Sequence, residues 1–561
     1  MMRRAEPLRR KGTPVSTGSR LMRLRRGSRP GSPRAGLLWR RPARVAFVAV
    51  VAALALLPRV QADAGSYTTI DGAGSSWASV ALFQWAKDVQ PQGLTVNYNP
   101  NGSALGRQYY MQGAQVDFAG SDPPFRNGQD KLGNTGVENP QWGYSYVPDT
   151  AGGTAFMYHI TVAGHLVTNL RLTPLVLMEI FTGAIKNWSD SRITKVYGAQ
   201  LPNEPIVPVL RADGSGATFF FTRWMATMFP SQWNSFCQKV HPGITLPCGQ
   251  TEFYPSFPGS KSENGSIAVS DYITASYGEG AIGYDEYAYA RAVNYPVVQL
   301  LNPAGYFVGP TASNVAVALT KAQIDFNKND PNFLQQNLNS VYAFKDPRNY
   351  PLSSYSYLIV PRLGKPIPSF FNNGAGASLS TFINYFLCAG QKEMPNLGYS
   401  PLPYNLVAGA LLQEAQIPGH VPPVNIAHYA SCGNPTFQNG KNVLLSTAPY
   451  PNACQKLGAP LNCVLKNGHA VAAGSSGSSG GSSAGPSSSA SSGANPAAGT
   501  SGTTGPTAGA ANVTGTVVNL PANGTDRALL AVLTALAVVL AVATPPAVGA
   551  WLRRRKRQPG T

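Results

Sequence analysis

Hydrophobic and polar positions in the middle of the chain alternate between the period of a helix and that of a strand. Apolar residues recur every three or four positions over residues 76–88, which predicts a helix, and residues 94–98 (L-T-V-N-Y) predict a strand. A second helix is predicted over residues 105–111 and a second strand over residues 116–119. This order is typical of a parallel sheet covered by helices, an α/β fold.

The same order recurs further along the chain. A strand predicted over residues 206–210 leads into the small residues R-A-D-G-S-G and then into a helix over residues 218–228. Residues 352–360 (L-S-S-Y-S-Y-L-I-V) predict a late strand. Residues 66–470 are long enough to form two lobes.

Three Gly/Ser segments are the strongest candidates for chemistry. They are Gly72–Trp77, Gly120–Phe125 and Arg211–Thr218. Each follows a predicted strand, and the first and third lead into a predicted helix. Small residues let backbone N–H groups approach a ligand, helix N-termini favour anions, and ligands of open parallel sheets lie beyond the carboxyl ends of strands. The sequence therefore predicts an anion site.

Asp122 places a carboxylate in the middle segment. A carboxylate tolerates a neighbouring anion only when that anion still carries a proton to donate. Phosphate carries such a proton at neutral pH and sulfate does not. We therefore expect Asp122 to favour phosphate over sulfate, and to oppose the alternative of another oxyanion such as sulfate or molybdate.

The formal net charge of +19 lies mainly at the two ends of the 561-residue chain. Residues 1–60 and 527–561 carry most of the excess Lys and Arg, and the middle is almost neutral. Basic ends of this kind are typical of topology signals. We predict no nucleic-acid partner.

The N-terminal residues 1–64 predict a signal peptide with a long basic n-region. An apolar run over residues 45–57 precedes the A-D-A cleavage site that ends at Ala64. Translation starting at Met22 is an open alternative. The Gly/Ser/Ala-rich residues 472–525 predict a disordered tether.

The apolar residues 528–551 predict a transmembrane helix, and residues 552–561 predict a basic cytoplasmic tail. The expected localisation is thus the cell membrane, single-pass, with an extracellular ectodomain and a cytoplasmic C-terminus. Residues 520–524 (L-P-A-N-G) leave sortase processing as an alternative.

Six cysteines lie in the middle of the chain: Cys237, Cys248, Cys388, Cys432, Cys454 and Cys463. An even number in an exported chain favours disulfide bonds. Short spacings favour Cys237–Cys248 and Cys454–Cys463, which leaves Cys388–Cys432. Other pairings and reduced thiols remain alternatives.

Six motifs, taken in order, resemble the substrate-binding proteins of high-affinity phosphate ABC importers over roughly residues 68–415. They are G-A-G-S-S-W-A-S-V (72–80), Y-N-P-N-G-S-A-L-G (98–106), V-D-F-A-G-S-D-P-P (116–124), I-F-T-G-A-I-K-N-W (180–188), R-A-D-G-S-G-A-T-F (211–219) and A-I-G-Y-D-E-Y-A-Y-A (281–290).

This resemblance implies a two-lobed, type II periplasmic-binding-protein fold with two hinge crossings. Lobe I would comprise residues 66–155 and 350–465, and lobe II residues 156–349. The implied function is phosphate binding by a membrane-anchored monomer that delivers phosphate to the membrane permease of an ABC importer. It implies no enzymatic activity, no cofactor and no metal.

The resemblance also implies the binding residues. Phosphate would be bound by Ser76, Trp77, Ser103, Asp122, Arg211, Ser215, Gly216 and Ala217, with supporting roles for Asp213 and Ser75. Ser76, Ser103 and the three residues 215–217 would donate hydrogen bonds. Asp122 would accept the proton of phosphate, and Arg211 would pair with phosphate while Asp213 holds it in place.

Three residues depart from the family pattern. Trp77 replaces Phe, Ser76 replaces Thr, and Ala217 replaces a Thr whose hydroxyl is lost, so we expect weakened binding. Two other functions stay open. One is a cell-surface phosphate sensor or adhesin that kept the fold without transport. The other is a phosphate-ester hydrolase with Ser215 as nucleophile, although the sequence contains no metal motif or nucleophile elbow to support it.

Overall fold

The computed structural model describes residues 67–473, apart from residues 115, 331 and 428–431. The predicted signal peptide, transmembrane helix and tail lie outside these residues, as does the predicted tether from residue 474 onwards. Ala472, assigned to that tether, instead ends a strand. The predicted single-pass membrane localisation is wrong on the present finding: within the described residues, no helix is long and apolar enough to span a bilayer.

The described strands are short except for two, and they are named here in chain order. They are β1 (Ile70–Gly74), β2 (Val96–Asn99), β3 (Phe118–Ser121), β4 (Tyr144–Tyr158), β5 (Thr161–Val162), β6 (His165–Leu166), β7 (Arg171–Leu172), β8 (Val207–Arg211), β9 (Lys261–Glu263), β10 (Ala281–Glu286), β11 (Gln299–Leu301), β12 (Phe307–Val308), β13 (Gln323–Ile324), β14 (Gln336–Asn337), β15 (Ser353–Pro361), β16 (Phe437–Gln438), β17 (Lys441–Asn442), β18 (Cys463–Lys466) and β19 (His469–Ala472).

The described α-helices are likewise named in chain order. They are α1 (Ser79–Val89), α2 (Ser103–Gln112), α3 (Pro174–Phe181), α4 (Ser191–Tyr197), α5 (Gly216–Met228), α6 (Pro230–Val240), α7 (Gly265–Thr274), α8 (Tyr287–Ala292), α9 (Ala312–Leu319), α10 (Asn339–Tyr342), α11 (Asn373–Leu387), α12 (Met394–Leu397), α13 (Tyr404–Glu414) and α14 (Leu444–Thr447). Short 3₁₀ helices are Gln90–Gln92, Ser276–Gly278, Ala389–Lys392 and Ala453–Gln455.

A single eight-stranded sheet, in the order β2-β1-β3-β15-β4-β10-β8-β9, forms the centre of the described chain. β1 pairs in parallel with β2 and β3, and β8 pairs in parallel with β9 and β10. The long strands β4 and β15 run antiparallel to their neighbours. The fold is mixed α/β, and the predicted parallel units are present at both ends of the sheet.

Strand β4 links the two ends of the sheet. Tyr144–Pro148 and Ala151–Gly153 pair with β15, with a shift in register between them, and the last five residues, Thr154–Tyr158, pair with β10. Every residue of β4 after Tyr144 is buried, as expected for a strand covered on both faces. β4 crosses the predicted lobe boundary between residues 155 and 156, so the sheet is continuous there. The lobe assignment itself remains a prediction.

Helix α1 illustrates how the sequence pattern sets the packing. Its buried residues, spaced at helical intervals, include Leu82 and Trp85. The Trp85 ring stacks on Phe386 with centroids 4.9 Å apart, and its Nε1 donates to the Gly390 carbonyl (3.0 Å). This packing fixes the N-terminal end of α1, where the first Gly/Ser segment lies.

Three disulfide bonds are present: Cys237–Cys248, Cys388–Cys432 and Cys454–Cys463. They join the two pairs that the short spacings favoured and the remaining pair, Cys388–Cys432. The last of them closes a loop of nine residues just before the β18–β19 hairpin.

Candidate functional site

Asp122 lies directly after β3, where the sheet places the end of that strand beside the end of β1. The Ser75 hydroxyl donates to Oδ1 of Asp122 (2.7 Å), and the Ser103 hydroxyl donates to Oδ2 (2.9 Å). Asp122 is 1% exposed. The first two Gly/Ser segments and the start of α2 therefore meet at this carboxylate, as the sequence predicted.

The third Gly/Ser segment reaches the same carboxylate through Gly216, the first residue of α5. A Cβ atom built on Gly216 would lie 1.8 Å from Oδ2 of Asp122 and 2.3 Å from its Cβ. Only glycine permits so close an approach. The N-terminus of α5 is thus packed directly against Asp122.

The environment of Asp122 favours its neutral form more than that of an ordinary carboxyl. Burial raises the pKa of Asp122, although the hydroxyls of Ser356, Ser75 and Ser103 and the charge of Arg211 act in the opposite direction. With both oxygens already accepting hydrogen bonds from hydroxyls, the side chain is held in one orientation. A carboxylate held in this orientation can accept one further hydrogen bond from a protonated ligand.

Arg211, the last residue of β8, is fixed by two carboxylates. Its Nε donates to Oδ1 of Asp213 (2.8 Å), and its Nη1 donates to Oδ2 of Asp285 (3.0 Å). Its Nη2 donates to the Ser76 hydroxyl oxygen (3.0 Å), which brings the first and third segments together. The predicted support of Arg211 by Asp213 is therefore present, and the guanidinium is almost wholly buried.

Two residues near Arg211, Ser266 and Asp285, were not predicted. The Ser266 hydroxyl lies 3.0 Å from the Ser76 hydroxyl, accepts from Arg211 Nη1 (3.0 Å) and donates to Asp285 Oδ1 (3.0 Å). Asp285 stands within the A-I-G-Y-D-E-Y-A-Y-A motif (281–290), and that motif was the sequence signal available for it. Ser266 follows Asn264-Gly265, a pair typical of a turn before a helix.

Four buried backbone N–H groups around this cluster have no acceptor among the described residues. They belong to Ser76, Trp77, Gly216 and Ala217. Their neighbours are satisfied: the N–H of Ala78 donates to Ser75 Oγ and the N–H of Thr218 to Ser215 Oγ. Because a buried N–H without a partner is costly, these four groups mark a place for an acceptor-rich ligand.

Ser215 contributes differently from the prediction. Its N–H donates to the Glu252 carbonyl (3.0 Å), and its Oγ accepts from the N–H of Thr218 (3.4 Å) as the cap of α5. Ser215 can therefore donate its hydroxyl hydrogen, but not its N–H, to a ligand. Ala217 offers its N–H alone, since it has no hydroxyl.

The cluster contains more acidic than basic groups. Although burial acts to raise it, the pKa of Asp213 lies below its ordinary value because of Arg211. Burial raises the pKa of Asp285 despite the same guanidinium, and it raises the pKa values of Asp149 and Glu286 further. Burial therefore favours the neutral forms of Asp149 and Glu286, which would limit the negative charge near the site.

A second buried ionic network lies close by and shares Glu252. Arg107 pairs with Glu138 (2.8 Å) and Glu252 (2.5 Å), and Arg126 pairs with the same two glutamates (2.9 Å each). Arg107 is completely buried, and its pKa is raised because the two carboxylates outweigh the opposing effect of burial. This network joins α2, in the predicted lobe I, to residue 252, in the predicted lobe II.

Metal binding has no candidate group in the part of the chain that the structure describes: no cluster of three or more His, Cys, Asp or Glu side chains is arranged to hold an ion. The hydrogen-bond donors gathered around Asp122 and Arg211 are hydroxyls, backbone N–H groups and the Arg211 guanidinium itself. Such donors suit an anion with many acceptor oxygens.

Comparison with known proteins places this site in a family. A family model described as a PBP superfamily domain matches residues 59–389, and the chain belongs to this superfamily. The phosphate-binding protein PstS of Xylella fastidiosa (strain Temecula1) is 29% identical over 340 residues, which are 60% of this chain and 82% of the relative.

Other relatives carry the same description. The phosphate-binding protein PstS of Pasteurella multocida (strain Pm70) is 33% identical over 259 residues, covering 46% of this chain and 67% of the relative. Among solved structures, a phosphate-binding protein from Stenotrophomonas maltophilia aligns with a TM-score of 0.46 at 17% identity, over 65% of this chain and 98% of that one. This structural match is too weak to support a functional statement. The resemblance to substrate-binding proteins of phosphate ABC importers, inferred from six motifs, is confirmed by the curated relatives and the family model.

Proposed function

We propose that this chain binds inorganic phosphate at the cluster around Asp122 and Arg211 and delivers it to the membrane permease of an ABC importer. The observation that carries the proposal is the set of four buried N–H groups, at Ser76, Trp77, Gly216 and Ala217, that have no acceptor among the described residues and lie beside a guanidinium. Relatives described as phosphate-binding proteins support the choice of ligand.

Binding would proceed by replacing the water shell of phosphate with fixed donors. The N–H groups at the start of α5 and those of Ser76 and Trp77 would donate to phosphate oxygens, and the dipole of α5 would favour the negative charge. Arg211 is already oriented by Asp213 and Asp285 before phosphate binds, and its hydrogen bonds to the Ser76 and Ser266 hydroxyls would be exchanged for bonds to phosphate oxygens.

Asp122 would provide the selectivity. Its carboxylate is oriented by Ser75 and Ser103 and lies against the N-terminus of α5. A phosphate hydroxyl can donate to it, whereas a fully ionised sulfate would place an oxygen against its lone pairs. Repulsion and an unsatisfied buried charge together correspond to a discrimination of more than about 100-fold.

The alternative functions receive less support from the site. Ser215 Oγ, the candidate nucleophile of a hydrolase, caps α5, and no histidine or carboxylate lies within hydrogen-bond distance of it in the described residues. No observation favours a sensor or an adhesin over delivery to an importer. The monomeric state and the two-lobe division remain part of the proposal.

The test is calorimetric titration of the full chain with phosphate and with sulfate. We expect phosphate to bind and sulfate to release no heat. Asp122→Asn should weaken phosphate binding about 100-fold and allow sulfate to bind, because the amide can donate to an unprotonated oxygen. Arg211→Ala should abolish binding, and Lys239→Gln, at an exposed lysine on α6, should have no effect. Equal binding of sulfate and phosphate by the unmodified chain would contradict the proposal.

A further inference from the structure

One cleft of the described chain contains a buried arginine that has no counter-charge among the described residues. It shares no lining residue with the cluster around Asp122 and Arg211. The cleft has a volume of about 800 Å³ and lies between the end of α4, strands β7 and β12, and residues 457–462. Arg171 and Lys195 line it, and the lining contains no acidic residue. A cleft of this size is typical of sites for small organic molecules.

Arg171 is the unusual group. It is 8% exposed, and its Nε is buried with no hydrogen-bond acceptor among the described residues. Its Nη2 donates to the Cys454 carbonyl (3.0 Å), and its guanidinium lies 5.6 Å from the centre of the Phe307 ring. No carboxylate of the described chain lies within ion-pair distance of it.

Three other buried arginines of the described chain have ionic partners. Arg107, Arg211 and Arg348 each contact at least one carboxylate. A charge taken out of water without an ionic partner is costly. Arg171 is therefore the exception that calls for an anion, and burial correspondingly lowers the pKa of its guanidinium.

The chain that follows the described part brings no such anion near in sequence. Residues 474–525 contain no Asp or Glu, and Asp526 is the first carboxylate after the β18–β19 hairpin. Lys195, exposed at the rim, also makes no ion pair with a described residue. The two cations thus share one uncompensated cleft, and an external anion is the natural occupant.

The walls of the cleft indicate what else the ligand carries. Phe307, Leu457, Pro460 and Leu461 supply apolar surface, and Asn169, whose Oδ1 accepts from the Tyr197 hydroxyl (2.8 Å), keeps its amide hydrogens available. An inorganic ion would leave this surface uncovered. The Cys454–Cys463 disulfide holds the loop that forms one wall.

We propose that this cleft binds a small organic anion, a phosphomonoester or carboxylate joined to an apolar or aromatic group. The anionic end would accept from the Arg171 guanidinium and from Lys195, and the apolar end would lie against Phe307 and Leu461. Phosphomonoester and carboxylate share this chemistry, and the probes below distinguish them.

The experiment is calorimetric titration of the full chain with phenyl phosphate, with phenylacetate and with neutral benzyl alcohol. It is repeated on Arg211→Ala, so that binding at the first cluster does not contribute. We expect one of the two anions to bind with one-to-one stoichiometry in both proteins, more weakly as salt is raised, and benzyl alcohol not to bind. Tighter binding of one anion identifies the class.

Two variants locate the binding. Lys195→Gln should weaken it about 5-fold, whereas the matched variant Lys239→Gln, at an exposed lysine outside the cleft, should leave it unchanged. Arg171→Met should abolish it, and thermal unfolding of that variant shows whether the loop around Cys454 has been lost instead. The inference is overturned if neither anion binds at millimolar concentration, if benzyl alcohol binds equally, or if Lys195→Gln and Lys239→Gln behave alike.

Discussion

Two buried arginine clusters lie side by side in this protein, and they differ in charge balance. In the first, Arg107 and Arg126 face Glu138 and Glu252, two cations against two anions. In the second, the single cation Arg211 faces Asp213 and Asp285, with Asp122 nearby. Both clusters connect the predicted lobes.

The difference indicates that the balanced cluster stabilises the fold and that the acidic cluster is left able to bind a ligand. In the balanced cluster the charges neutralise one another, and the guanidinium of Arg107 donates to three protein side chains. In the acidic cluster four N–H groups lack acceptors in the described part of the chain, although an excess of carboxylates lies nearby. Carboxylates that could have served those N–H groups are instead bound to serines and Arg211. The unused donors are thus left for a ligand.

The largest effect is expected in the balanced cluster. Glu252→Gln should leave Arg107 buried with one carboxylate and lower the free energy of unfolding by about 3 kcal/mol. Urea titration measures this. Asp285→Asn serves as the matched change in the acidic cluster, where Arg211 keeps Asp213, and it should cost less than about 1 kcal/mol. Equal losses in the two variants would show that charge balance does not distinguish the clusters.

Asp285→Asn should also strengthen phosphate binding. Removing a carboxylate beside Arg211 reduces repulsion of the anion and frees part of the guanidinium, so the affinity should rise about 10-fold, equivalent to about 1.4 kcal/mol. Calorimetry of both proteins at one pH and one salt concentration measures the change. A decrease in affinity would mean that Asp285 positions Arg211 more than it opposes the ligand.

The pH dependence of phosphate affinity tests whether the charge of Asp285 opposes the ligand. Burial raises the pKa of Asp285 above its ordinary value of 3.8, so the group is neutral at acidic pH and gains its charge only as pH rises through the raised pKa. The affinity of Asp285→Asn divided by that of the unmodified chain should therefore be smallest at acidic pH and grow as pH rises through the raised pKa of Asp285. Using the ratio removes the ionisation of phosphate itself. A ratio that stays constant from pH 4 to pH 8 would contradict this assignment.

The smallest effect on phosphate affinity is expected from adding a hydroxyl donor at the start of α5. Ala217→Ser restores a hydroxyl at the start of α5, and one added hydrogen bond should raise phosphate affinity about 3- to 5-fold. Ala226→Ser, near the other end of the same helix, is the control and should not change it. No gain at residue 217 would indicate that the hydroxyl finds an acceptor within the protein.

Much of the site could be predicted because its residues stand in short motifs that are recognisable in the sequence alone. Asp122, Arg211 and Gly216 stand in short segments at strand ends, and the parallel pairing of β1, β2 and β3 brings two of those segments together. Asp285 and Ser266 escaped prediction since they reach Arg211 only through the pairing of β10 with β8 and the packing of α7. The contact of Arg107 with Glu252 spans 145 positions and has no motif.

The long strand β4 was not predicted for a physical reason. It contains Pro148 and the pair Gly152-Gly153, residues that normally indicate the interruption of a strand. Burial on both faces and pairing with β15 and β10 outweigh those local preferences. The predicted membrane localisation depended on the apolar pattern of residues 528–551, which lie outside the described residues, and is contradicted by the finding that no helix within those residues is long and apolar enough to span a bilayer.

One consequence of β4 concerns ligand exchange. Since this strand is hydrogen-bonded to β15 on one side and to β10 on the other, the two halves of the sheet cannot come apart as separate bodies without losing these ladders. We expect ligand exchange to occur by twisting along the strand at Gly152 and Gly153, whose backbones are the least restricted sterically. Loading and release would then change the radius of gyration in X-ray scattering and leave far-ultraviolet circular dichroism the same.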